Sequence, residues 1–398
     1  MDARREVREV VVVGAGPAGS ATAARLASAG HDVLLLDRAE FPRRKPCAEC
    51  VNPAGVEALR RLGAWDAVAA AGHAWLDGWR IAALDGDGFD GCFPEALRGI
   101  AIPRETLDDV LLRHAASRGA EVRTGVRVAG LLRDAAGAVA GVRVQGDDGE
   151  REIAARLVVG ADGLRSVVLR RLGLLRRRPK LRKLALTAHV AGFDGVPGRG
   201  EVRVSGRGAC LGIAPVGGGL ANVTVVVPGE RSGEVSGDAD GYFDAALERY
   251  GFGGLRRVDE VLATGPFDCP VRSAVADGAL LVGDAAGYYD PFTGQGIFRA
   301  LRGGELAAGA ASAALRAGDS SARALAPYER ARRRAFGPGE RMQHVVEAFV
   351  SRPALLSAVS RRFTARPALG DAVIRVTGDV SPVASLFTPR FWAGLVWG

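Results

Sequence analysis

The sequence predicts an α/β fold: a Rossmann-like layer of strands and helices interwoven with a second, β-rich layer, and a helical C-terminal segment. Three observations carry this. Apolar runs at 10–13, 157–159 and 279–282 each stop at a glycine and lead into a helical pattern. Residues 182–270 hold five short runs, KLALTAHVAGF, EVRVSG, ACLGIAPV, LANVTVVV and DEVLAT, split by glycine turns. Beyond residue 297 the chain is rich in alanine, arginine and other helix formers.

The 398 residues suffice for a sizeable core in one large or two closely packed domains. Hydrophobic residues make up 48% and charged residues 25%, which excludes a disordered, fibrous or coiled-coil protein. Glycine, at 55 residues, is about twice its usual share of roughly 7%. Without a collagen period, that excess points to backbone with positive φ or close approach to a ligand. The net charge is +8, carried by fifty arginines and only three lysines, Lys45, Lys180 and Lys183. This skew fits a GC-rich genome, with most arginines solvated. Nucleic acid is excluded as a partner, because basic runs are not interleaved with aromatics and no zinc-finger or helix-turn-helix pattern occurs. Five cysteines without a signal peptide suit a reducing cytoplasm, and five histidines without ligand spacing predict no metal site. No apolar run reaches the eighteen or so residues of a transmembrane span, so a cytoplasmic protein is expected.

Residues 7–37 carry the first strong motif. Val10 to Val13 lead into GAGPAG, an alanine-rich helix reaches Gly30, and a second strand, Val33 to Leu36, ends in Asp37. Gly14 permits the tight turn, Gly16 lets backbone approach a pyrophosphate, and Gly19 allows close helix-to-strand packing. The helix N-terminus offers free N–H groups to phosphate, and Asp37 suits a ribose diol. A lone GxGxxG is weak evidence; one that follows a strand, opens a helix and is answered by an acid reads as a dinucleotide site. LVVGADGLRS (157–166) and ALLVGDAAGYYDPFTGQG (279–296) repeat the pattern of buried strand, acid and glycine-rich turn. Either alone is explained by an aspartate N-cap, but three fit one extended ligand across a sheet edge.

GAGPAG, GADGLRS and GDAAGYYDPFTGQG, in that order, resemble the three fingerprints of FAD-dependent oxidoreductases with the para-hydroxybenzoate hydroxylase fold, the group A flavoprotein monooxygenase superfamily. The resemblance spans about residues 8 to 330. EFPRRKPCAECVNPAGVEALRRLG (40–63) and GDAAGYYDPFTGQGI look most like its geranylgeranyl reductase-like branch. The resemblance implies an FAD site built from Gly14, Gly16, Pro17, Ala18 and Gly19, with Asp37, Arg38, Arg44, Lys45, Arg104 and Val128 around the adenosine and diphosphate. Asp162 and Gly163 stand at a turn shared with the nicotinamide cofactor, and Gly283 and Asp284 at the ribityl chain. Pro291, Gly294, Gln295, Gly296 and Ile297 stand at the isoalloxazine, where a helix N-terminus suits the negative charge of reduced flavin. The implied division is 1–75, 100–175 and 271–330 for the FAD-binding domain, 76–99 and 176–270 for the substrate-binding sheet, and 331–398 for the C-terminal helical segment.

Chemistry is argued from the site rather than the fold. The first expectation is an FAD-dependent monooxygenase, in which NADPH or NADH reduces the flavin and a C4a-hydroperoxide hydroxylates or epoxidises an aromatic, isoprenoid or polyketide-type molecule of secondary metabolism. The alternative is a reductase saturating isoprenoid or lipid double bonds; a non-enzymatic flavoprotein is a third reading. GACLGIAPVGGG (208–219) lacks the tryptophans of flavin-dependent halogenases, which counts against halogenation, and keeps only Pro215 of the reductase pattern. Catalytic positions are expected at Pro291, Gly294, Gln295, Tyr289 and His189, and substrate contacts also at Arg203, Tyr288 and Phe292; packing or surface roles compete at each. Cys47 and Cys50 form a CxxC that is a redox pair, a lining of the flavin pocket or incidental packing. The cluster Arg170, Arg171, Arg176, Arg177, Arg178, Lys180, Arg182 and Lys183 is a solvated linker or a dock for NADPH phosphate or an acidic carrier protein. Gly337–Pro338–Gly339 predicts a break in a charged helix over 326–350. The tail SPVASLFTPRFWAGLVWG, with Phe387, Phe391, Trp392 and Trp397, packs on the body, or else caps the substrate tunnel or touches a membrane beside Arg361, Arg362 and Arg366.

Overall fold

The computed structural model describes residues 6–84, 86–146, 149–180 and 183–396, with Val396 as backbone only. Asp85, Asp147, Asp148, Arg182 and Trp397 of the segments above lie outside the described residues. Strand Glu6–Val13 runs at the centre of the first sheet, parallel to Val33–Leu36 on one side and to Gly149–Gly160 on the other. Glu121–Arg123 adds one edge in parallel; on the other side Ala279–Leu281 adds in parallel and is followed by the antiparallel edge strand Val275–Ala276. Val10, Val11, Val12, Leu34, Leu35 and Val158 are fully enclosed, as strands covered on both faces must be. Val13 is paired with Leu36 and with Gly160, and Gly160 with Leu281. Four strands therefore end level, and the loops that follow them meet at one edge of the sheet.

The second sheet follows the order Arg256–Arg257, Leu184–Ala191, Leu220–Val227, Ala209–Gly217, Arg199–Gly206, Gly78–Ala83, Gly88–Cys92, with Leu262–Thr264 also paired to Leu184–Ala191. One face packs on helix Ala239–Arg249 through Phe243 and Leu247. The opposite face, with Val202, Cys210 and Val226, turns toward the C-terminal helices.

Helix Ala322–Val350 is continuous through Pro327 and Pro338, so the expected break at 337–339 does not occur. Gly337 has no side chain to clash with the proline ring, and buried Phe336 and Gln343 anchor the turns on either side. Tertiary packing outweighs the lost hydrogen bond. Helices Pro353–Ala365, Pro367–Thr377 and Pro389–Val396 each open on a proline, the residue that costs least at that position. Pro367–Thr377 lies directly on strand Gly88–Cys92. A Cβ on Gly91 would sit 2.3 Å from Ile374 Cγ1, and one on Gly370 would sit 2.6 Å from Asp90 O. Asp371 Oδ1 accepts a hydrogen bond from the Cys92 amide at 2.8 Å, fixing the register of helix on strand.

Overpacking of this kind costs about 1–3 kcal/mol. Gly91→Val is expected to lower the melting temperature by several degrees in a circular-dichroism melt. Gly130→Ala, in strand Arg127–Arg133 with nothing within 4 Å of the added carbon, leaves it unchanged.

Candidate active site

The first loop at the sheet edge is fixed by contacts that only glycine allows. Gly14 has φ +98°, and a Cβ there would lie 2.5 Å from Ala161 O; a Cβ on Gly19 would lie 1.7 Å from Gly14 O. Gly16 differs, because its Cβ would meet only the Nη2 atoms of Arg43 and Arg104, each at 3.8 Å. The backbone is thus open toward two guanidinium groups just where helix Pro17–Ser28 presents its unpaired first-turn amides. Asp37 braces the loop, with Oδ2 accepting from Ala15 N at 2.8 Å and Oδ1 from Ala39 N at 2.9 Å.

Asp108, fully buried, holds Arg104 through Nε at 2.8 Å and Nη2 at 2.6 Å and lies 3.1 Å from Arg43 Nη1. Lys45 Nζ comes within 3.5 Å of where a Cβ on Gly163 would stand. Burial lowers its pKa and Arg104 lowers it further, while Asp284 and Asp108 oppose. The Asp284 carboxylate accepts no hydrogen bond among the described residues, although it stands in the third loop beside this cluster. Three cations around an open glycine backbone and free helix amides suit a diphosphate, and an unpartnered carboxylate suits a polyol. The residues present therefore fit FAD.

Other expected positions serve the scaffold. Asp162 caps helix Val167–Leu172, accepting from Ser166 Oγ at 2.5 Å and from Val167 N at 2.6 Å, and burial raises its pKa. Arg44 turns away to Asp259 at 2.9 Å, and Arg38 is exposed. Val128 is buried in its strand, and Ile297 is buried in helix Gly296–Arg316. Gly283 (φ +63°) backs onto Ala18, its Cβ position 2.9 Å from Ala18 Cβ, so the first and third loops touch. Gln295 points inward, its Nε2 donating to both oxygens of Asp379 at 2.9 Å. The open positions are Gly294 and Gly296, where a Cβ would meet nothing within 4 Å.

His189 does not reach substrate space. Its Nδ1 lies 2.7 Å from Asp259 Oδ2 and its Nε2 2.7 Å from Glu49 Oε2, and hydrogen bonding to Glu49 raises its pKa to about 9. Glu49 Oε1 in turn accepts from Arg104 N at 2.8 Å, linking the two layers. Arg203 stacks 4.0 Å over Phe252 and donates to Tyr250 O, and Tyr289 packs 4.1 Å from His344. Tyr288 packs against Phe267. Cys47 and Cys50 are free thiols; burial pushes Cys50 well up, the reverse of an activated redox thiolate. The 170–183 basic cluster is divided, with Arg177 paired to Asp268 and Lys183 buried against Asp290 and Glu347. Sequence reasoning missed Arg43, Glu49, Asp108 and Asp379. Arg43 adjoins residues that were singled out, and Asp108 follows Arg104 at helical spacing, so both carried a readable signal.

Between the second sheet, the loop Pro291–Gly294 and the C-terminal helices lies a cavity of about 270 Å³. Its walls include Ile81, Phe89, Val226, Phe292, Phe349, Phe363 and Phe391. The polar groups there are uncharged, among them Asn52, Asn222, Thr224 and the Cys50 thiol. No ionisable carboxylate or basic side chain lines it among the described residues.

Fold and site together define an FAD-dependent oxidoreductase. Residues 8–198 match the family model described as an FAD binding domain. The chain is 32% identical over 357 residues to a digeranylgeranylglycerophospholipid reductase of Methanosarcina acetivorans, covering 86% of this chain and 84% of that one. It is 34% identical over 322 residues to a menaquinone reductase of Mycolicibacterium smegmatis, 75% of each chain. The solved structure of a geranylgeranyl bacteriochlorophyll reductase-like protein from Thermoplasma acidophilum superposes with a TM-score of 0.78 at 20% identity, over 98% of both chains. The chain belongs to the FAD-dependent oxidoreductases of the para-hydroxybenzoate hydroxylase fold, in the geranylgeranyl reductase-like branch.

Flavin-fluorescence titration of the deflavinated protein is expected to show at least a tenfold weaker Kd for FAD in Arg43→Ala and Lys45→Met, each of which removes a charge-assisted contact of about 1.5–3 kcal/mol. Arg44→Ala, whose side chain faces the other layer, changes it little. The pairing of His189 raises its pKa from 6.5 to about 9, so it stabilises the folded chain fully below pH 6.5 and fades as pH climbs through 9. The melting-temperature deficit of His189→Gln is accordingly widest in mildly acidic buffer and shrinks in alkaline buffer.

Proposed function

We propose that this protein is a reductase that saturates carbon–carbon double bonds in an isoprenoid or related lipid chain, with FAD as cofactor and NADPH or NADH as reductant. The observation that carries the reading is the uncharged, apolar cavity that ends on Pro291–Gly294, the loop opening the flavin-facing helix. Such walls suit a long hydrocarbon chain and offer nothing to a carboxylated or cationic substrate. The relatives named for a digeranylgeranyl lipid and for menaquinone support the same substrate class.

Bound FAD supplies hydride-transfer chemistry. The chain's own contribution is placement and exclusion of water. Pro291 and Phe292 form the end of the cavity at which a double bond is presented, and the apolar walls keep bulk solvent, though not every single water, from the reacting face. The amides at the start of helix Gly296–Arg316 stabilise negative charge across from it. In the net step a π bond breaks and two C–H bonds form, one from hydride and one from a proton of water, while the nicotinamide is oxidised. Cys50 keeps its proton, and the cavity wall supplies no acid to replace water as the source.

The decisive experiment incubates the reduced flavoprotein with geranylgeraniol and with a digeranylgeranyl glycerol ether under strict anaerobiosis. The expected products are heavier by two hydrogens per double bond saturated. A product that forms only with O2 and carries label from 18O2 overturns the reading in favour of oxygenation. Gly212→Phe, which fills the cavity between strands, is expected to cut kcat/KM for a C20 chain at least tenfold and for a C10 chain much less.

A further inference from the structure

The mouth of the cavity lies in an unusual surface. Phe387, 60% exposed, Trp392, 46% exposed, and Val345, 41% exposed, line the cavity and face solvent at once. Leu355 is 40% exposed nearby, on helix Pro353–Ala365. Large apolar side chains left in water around an opening mark an interaction site. The last helix, Pro389–Val396, places Phe391 inward against Phe363 and Trp392 outward, the arrangement of a short interfacial helix.

Charge on this surface is mostly positive. Arg352, Arg361, Arg362, Arg366 and Arg390 are exposed. Among the described residues, only Arg361 of these has a carboxylate partner, Asp87. The segment from Arg352 to Leu395 contains just two acids, and both have partners within the fold: Asp371 accepts from the Cys92 amide and pairs with Arg375, and Asp379 accepts from Asn52 and Gln295. An apolar patch whose rim carries more arginines than carboxylates complements an anionic lipid surface. A second copy of this chain would present the same cations to the patch and gain nothing from them. No helix among the described residues is long and apolar enough to cross a membrane, so the contact is one of lying on the surface.

We infer that the face formed by Val345, Leu355, Phe387 and Trp392, with its arginine rim, docks on an anionic bilayer so that the cavity opens into the lipid phase. Trp392 and Phe387 enter the headgroup boundary, where aromatic side chains are favoured, and the arginines meet lipid phosphates. A chain buried in the bilayer then reaches the flavin without crossing water. This partner rests on the substrate class proposed above.

Cosedimentation of the FAD-loaded protein with vesicles tests it, comparing pure phosphatidylcholine with phosphatidylcholine containing phosphatidylglycerol. Binding is expected only to the anionic vesicles and falls with added salt. At roughly fivefold per arginine, Arg362→Glu with Arg390→Glu weakens binding more than tenfold. Leu355→Glu weakens it too. All three substitutions leave turnover of detergent-dispersed substrate unchanged, because none of these side chains lines the cavity. Absence of vesicle binding by the parent protein, or undiminished binding by the charge-reversed variant, overturns the inference. So does conversion of a dimer to a monomer by Leu355→Glu in analytical ultracentrifugation, which would assign the patch to a second copy. Binding to vesicles without reduction of any prenyl chain defeats the proposed reaction alone; reduction in detergent without vesicle binding defeats the docking alone.

Discussion

The close approach of three loops at one sheet edge is the constraint on which the rest depends. Val13, Leu36, Gly160 and Leu281 end level, so the loops that follow them must share a small space. Gly14 against Ala161, Gly19 against Gly14, and Gly283 against Ala18 meet that demand without side chains. The same economy leaves backbone amides uncovered, and Arg43, Lys45 and Arg104 concentrate positive charge over them. Cofactor binding is thus a consequence of how the first layer packs.

A chain of buried charges ties this edge to the second layer. Asp259, His189 and Glu49 lead to the Arg104 amide, while Asp108 holds the Arg104 guanidinium. Lys183, Asp290 and Glu347 form a second link, from the second sheet through the loop before helix Gly296–Arg316 to the long helix Ala322–Val350. Buried ion pairs are weak sources of stability, because desolvation offsets attraction, but breaking one leaves an uncompensated charge. They fix the relative placement of the layers, and so of the cavity and the three glycine-rich loops.

Much of this was legible in sequence. The three loops, the helix after Arg104, the strands of the second sheet and the helical tail were all readable from apolar runs that stop at glycine and from the resemblance those motifs carry. The reaction was less so. Oxygenation came first because residues 208–219 keep only Pro215 of the reductase pattern, while the relatives are named as reductases and the cavity wall is uncharged; no motif distinguishes the two because hydride and oxygen chemistry both reside in the cofactor. Gly337–Pro338–Gly339 read as a break yet lies within one helix, since local propensity yields to anchoring by Phe336 and Gln343.

The sequence by itself determined where backbone must be bare and where strands must be covered on both faces, because glycine spacing and apolar runs are local signals. Only the tertiary structure decided the use of individual side chains. It took His189 and Gln295 out of substrate space by giving each carboxylate partners far along the chain, Glu49 and Asp379, whose distance in sequence hides the contact. It also brought Phe387, Phe391 and Trp392 from the tail to a cavity whose opposite wall, with Ile81, Phe89 and Val226, lies far earlier in the chain. Part of the excess of glycine falls in loops that touch one another. The excess of arginine acquires meaning on the C-terminal face, where exposed arginines outnumber the carboxylates near them.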